Sequence, residues 1–67
     1  MNISINLLIL RQNKNLYQKD VAEALGIKVQ TYQAYENHRA TPPLKTIKKI
    51  VDYYGITDLH TFLFDIV

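Results

Sequence analysis

The sequence predicts an all-α domain of five short helices. Three observations lead there. Gly26, the pair Pro42-Pro43 and Gly55 cut the 67-residue chain into helix-length pieces. Apolar residues inside those pieces recur at the 3–4 spacing of a helical face, and no stretch sustains the alternation of a strand. The chain is also short enough to hold a single domain over residues 1–67, since independent domains usually begin at roughly 50 residues.

The first piece, Ile3 to Asn13, needs arbitration. Ile3, Ile5, Leu7 and Ile9 alternate as in a strand, but Leu8 and Leu10 break the alternation, and Ile3, Leu7 and Leu10 share one helical face. Helix is favoured. A second apolar stripe, Ile5, Leu8 and Ile9, reads either as packing on two sides of a small core or as a patch that meets another chain. The second helix, Gln18 to Leu25, turns Val21, Ala22 and Leu25 to one side, and Gly26 suits a left-handed C-terminal residue. Gly26-Ile27-Lys28 then leads into the third, Val29 to Asn37. There Tyr32 and Tyr35 join Ile27 on an inward face, with Val29, Gln30, Gln33 and Ala34 outward. The proline pair suits a loop and the first turn of a fourth helix, where a missing N–H costs nothing. Its expected apolar face is Leu44, Ile47, Ile50, Val51 and Tyr54, and Gly55 ends it. A last helix, Asp58 to Asp65, has Asp58 as N-cap and carries Leu59, Phe62, Leu63 and Ile66.

Composition narrows the function. Hydrophobic residues are 48% and charged residues 21% of the chain, ordinary globular usage. The net charge of +2 suits a polyanionic partner without requiring one. There is no cysteine for a disulfide. His38 and His60 alone fall far short of the four ligands of a structural zinc, and Asp58 with His60 is too sparse for a metal. No cofactor or metal is therefore expected. Neither histidine stands in a pattern that would activate a nucleophile, and no glycine-rich loop marks a substrate pocket, so neither an enzyme nor a small-molecule binder is expected. The longest apolar run, Leu7-Leu8-Ile9-Leu10, is far below the roughly 20 residues of a membrane span. Asn2, Ser4 and Asn6 interrupt any signal-peptide core. A soluble, cytoplasmic, nucleoid-associated protein without membrane contact is the expectation.

The informative unit is the middle. Two helices joined by so tight a turn can cross steeply, so that the second stands out and fits a DNA major groove about 12 Å wide. Its outward residues are amides and small side chains. An amide donates and accepts at once and matches the N6/N7 edge of adenine, whereas a lysine mostly finds phosphate.

Gln18-Lys19-Asp20-Val21-Ala22-Glu23-Ala24-Leu25-Gly26-Ile27, followed by Thr31-Tyr32-Gln33-Ala34-Tyr35-Glu36-Asn37, resembles the Cro/C1-type helix-turn-helix family of lambda-repressor-like DNA-binding domains. The likeness runs without a gap from Leu7 to Gly55 and resumes at Leu59-His60-Thr61-Phe62-Leu63, after one extra residue near Thr57-Asp58. It implies a compact five-helix bundle. It also implies base contacts from Val29, Gln30, Gln33 and Ala34, and phosphate contacts from Gln18, Lys28, Thr31, Asn37, Arg39 and Lys45. A largely internal salt bridge between Arg11 and Glu36 is implied as well. The chain departs from the family at several places. Tyr17 and Lys28 replace the usual Ser or Thr caps, a loss of about 0.5–2 kcal/mol per helix. His38 stands where the family favours a glycine with positive φ. The outward face of the third helix has no arginine for guanine.

The C-terminal run Phe62-Leu63-Phe64-Asp65-Ile66-Val67 holds more apolar surface than one short helix hides. Phe62, Leu63 and Ile66 can serve the core. A homodimer interface is expected among Phe62, Phe64, Ile66 and Val67, with the first helix as the other candidate. A dimer would set two recognition helices about 34–36 Å apart on a palindromic site. The expected function is a dimeric, sequence-specific repressor of transcription bound to double-stranded DNA. The alternative is a protein-interaction module, an antitoxin or co-regulator that holds a toxin or another regulator through its apolar terminal helices.

Overall fold

The computed structural model describes residues 1–67. The helices are α1 (Ile3–Asn13), α2 (Gln18–Leu25), α3 (Val29–Glu36), α4 (Leu44–Tyr54) and α5 (Leu59–Phe64), with no strand. α3 packs on both α1 and α2, α4 on α2, and α5 on α1. Their common interior holds Leu7, Val21, Leu25, Tyr32, Ile50 and Phe62, none more than 2% exposed. None of the helices is long and apolar enough to cross a membrane.

Helix ends follow local chemistry. Gly26 and Gly55 take φ of 70° and 65° just past α2 and α4. A Cβ at either would meet nothing within 4 Å, so only the left-handed backbone calls for glycine there. At the start of α2, Tyr17 supplies no side-chain cap, but its own N–H donates to the Asp20 carboxylate at 2.8 Å. That is one half of a capping box, and it puts a negative charge at the positive end of the helix. Pro43 sits just before α4, and its carbonyl accepts the N–H groups of Thr46 and Ile47, each at 2.9 Å. At α5, Asp58 accepts from the Thr61 N–H at 3.2 Å and from its hydroxyl at 2.8 Å. Asn15 and His38 are the two non-glycine residues with positive φ, 55° and 59°. His38 is held there partly by Ser4, whose hydroxyl lies 3.1 Å from its Nδ1.

Several side chains depart from the sequence expectation. Leu44 is 71% exposed, although Thr46 in the same turn of α4 is buried and Ile47 packs against the core. Val29 is half-buried against the core instead of facing outward. Phe62 lies wholly inside the protomer and has no surface to offer a second chain, which corrects its assignment to a dimer interface. Ile66 is 60% exposed, outside the core. On α1, Ile5 is exposed and Leu8 and Ile9 are half-buried, and none of the three packs against the core cluster.

A buried polar clasp joins the two ends of the chain. Asn6, fully buried, donates its amide to the carbonyls of Phe62 at 2.6 Å and Asp65 at 2.8 Å, and accepts the Val67 N–H at 3.0 Å. Asn2 adds its backbone N–H to the Leu63 carbonyl and its amide to that of Phe64, both at 2.7 Å. The last carbonyls of a helix have no partner within it, so these asparagines cap α5 from outside.

Candidate nucleic-acid interface

The candidate interface is built on an ion pair beneath α3. Arg11 on α1 donates from Nε to Glu36 Oε2 at 2.7 Å and from Nη2 to Oε1 at 3.1 Å. It also caps the Leu16 carbonyl at 2.9 Å. The side chains are 15% and 4% exposed, so the planar guanidinium and the carboxylate meet two-pronged and largely out of water. Burial, the largest single influence, would push the Glu36 carboxyl up, but the groups that face it, Arg11 first and then Tyr32 and Gln18, together outweigh it and hold the group below its ordinary range. Arg11 is raised in turn by the same carboxylate. The hydroxyls of Tyr32 and Tyr54 are buried close by without a hydrogen-bond partner. Burial pushes the Tyr54 hydroxyl up to about 12 and Tyr32 higher still.

From this pair a line of amides runs to the surface. Gln18, the first residue of α2, donates Nε2 to Glu36 Oε1 at 3.2 Å. Gln33 on α3 donates Nε2 to Gln18 Oε1 at 3.1 Å. Gln33 keeps its carbonyl oxygen and a second N–H free, and Gln30, one turn earlier, is exposed. Val29, Thr31 and Ala34 are half-buried. Lys28 stands immediately before α3, Arg39 and Asn37 follow it, and Lys45 is the second residue of α4; all four are exposed. Lys28 gives α3 no side-chain cap, so the first N–H groups of α3 keep no partner from that side chain beside a cation.

Other polar groups have local work. Lys49 donates to the Leu25 carbonyl at 3.4 Å, at the negative end of α2. No three His, Cys, Asp or Glu side chains gather into a metal site. The linkage of Gln18 to Gln33 across two helices is what sequence reading missed. No signal in the sequence marks it, because it depends on how α2 and α3 cross above Glu36.

The helix-turn-helix family matches residues 7–60. The chain belongs to this helix-turn-helix family. α2, the turn from Gly26 to Lys28 and α3 are its namesake motif, and the compact all-helical bundle fits the Cro/C1 type. Among characterised proteins, the cryptic phage CTXphi transcriptional repressor RstR of Vibrio cholerae is 38% identical over 47 residues, 70% of this chain and 42% of the repressor. The helix-turn-helix chain thus spans less than half of that relative's length. No solved structure matches it.

Proposed function

We propose that this helix-turn-helix protein is a sequence-specific repressor of transcription that binds double-stranded DNA as a dimer, with α3 in the major groove. One observation carries the assignment: α3 presents the free amide groups of Gln30 and Gln33, and Gln33 is braced from below by Gln18. An immobilised amide suits bidentate contact with adenine. The exposed cations Lys28, Arg39 and Lys45 are assigned to phosphate, together with Gln18, Thr31 and Asn37, and half-buried Val29 and Ala34 to contact with base or sugar edges. The dimer is assigned to Phe64, Ile66 and Val67, all exposed beside α1. Family membership and the likeness to a phage repressor support the same reading.

Selection of bound sites from random duplex DNA tests it. The expected product is a palindrome with half-sites about one helical turn apart, bound with an affinity that falls steeply with salt as counterions are released. Enrichment of no sequence would overturn it. An alternative role, capture of a partner protein, is favoured by the exposed apolar residues Ile5, Phe64 and Ile66 at the terminal helices. Under that role the selection yields nothing.

A further inference from the structure

We infer that Glu36 is a specificity-determining positioning residue: acting through Gln18, it dictates which way round the Gln33 amide faces the DNA. The inference rests on the DNA-reading role proposed above.

An amide side chain has two faces of opposite character and, left alone, turns either way. Here the turn is decided from below. The Glu36 carboxylate only accepts, and it already takes two bonds from Arg11, a group that only donates. Arg11 is in turn held to the Leu16 carbonyl and cannot swing away without losing that bond. Gln18 must therefore offer its NH2 to Glu36, which leaves its carbonyl oxygen toward Gln33. A carbonyl oxygen also only accepts, so Gln33 must offer NH2 to Gln18. The polarity of each group along this line follows from the one beneath it. At 4% exposure Glu36 has little water to compete for its oxygens.

The outcome matters because bases differ in polarity. Adenine shows the major groove an acceptor at N7 and a donor at N6, which an amide satisfies in one orientation only. Reversed, it sets oxygen against N7 and N–H against N6–H. Guanine offers two acceptors and thymine one. A Gln33 of dictated polarity separates adenine from the rest, and one free to turn does so poorly.

The test compares wild type with Glu36→Gln and Gln18→Met. Glutamine at 36 keeps the shape but can donate or accept, so it dictates nothing. Methionine at 18 removes the middle link while leaving Arg11 and Glu36 together, and it carries the test if Glu36→Gln does not fold. The position read by Gln33 is found as the one whose base preference vanishes in Gln33→Ala. Wild type should prefer adenine there by about 10- to 100-fold over other bases, and the variants by less than about threefold. Preferences at the remaining positions should stay as in wild type. Full adenine preference in Gln18→Met, or in folded Glu36→Gln, overturns the inference and leaves the DNA-reading role intact. A loss shared by every position makes Glu36 structural only and also overturns it. A wild-type protein that selects no sequence overturns the DNA-reading role itself, and the inference with it.

Discussion

Replacing Asn6 by alanine is expected to cost the domain most of its stability. The side chain makes three hydrogen bonds, to Phe62, Asp65 and Val67, from a site with no solvent exposure. The bonds to Asp65 and Val67 end on exposed residues, where water takes over part of what is lost. The bond to the Phe62 carbonyl lies inside, and a buried group left unpaired costs about 1–3 kcal/mol. Adding about 1 kcal/mol for the outer pair together gives a loss of roughly 2–4 kcal/mol. A single core of this size seldom supplies more than about 3–5 kcal/mol, so the variant stands near the edge of folding. In urea, with a slope of about 1 kcal/mol/M, the midpoint should drop by about 2 M or more. Asn2→Ala is the control, since its amide makes one exposed bond, and a surface change of that kind stays within about 0.5 kcal/mol. Midpoints for the two variants within about 0.5 M of each other would refute the account of the clasp.

Two further outcomes are expected. Exchanging Phe64 and Ile66 for serine should turn the proposed dimer into monomer in a sedimentation experiment while leaving the helical content intact, because both side chains lie outside the core at 51% and 60% exposure; an unchanged oligomeric state would remove this surface from the proposed dimer. Glu36 should contribute to an acid transition. Its carboxyl is lowered from 4.5 in the folded chain, so the stability it adds is complete above that value and disappears as pH falls through the lowered one. Thermal midpoints measured against pH should therefore decline below about 4.5, with a shallower decline in Glu36→Gln.

The helices themselves were legible because their boundaries are written in single residues. Gly26 and Gly55 stop two helices by a backbone conformation open to few other residues, and Asp58 starts a third with a carboxylate in reach of an orphan N–H. The inward tyrosines were legible by spacing, as Tyr32 and Tyr35 are both buried. Surface and core were harder to separate at helix ends. Leu44 continues the apolar period of α4 but is exposed while Thr46, two residues on, is buried, and period alone carries no information about where a neighbour stops. Asn6 was invisible for the opposite reason. In the sequence it interrupts an apolar run, and only the return of α5 to α1 supplies the carbonyls that make its burial favourable. The Gln18–Gln33 link belongs to the same class, since it depends on how α2 and α3 cross.

The clasp between Asn2, Asn6 and the last residues joins positions about 60 apart, so nearly the whole chain is the loop that must close before it forms. Docking of α5 on α1 consequently closes a loop that spans most of the chain, and it returns the burial of Phe62 and the packing of Leu63. The bonds that Asn6 makes to the last residues form and break together with that docking. The apolar side chains assigned to the dimer ride on that segment. In the proposed dimer, subunit association and closure of each subunit's last helix would be linked equilibria: dilution would loosen α5, and anything that pins α5 to α1 would tighten the pair.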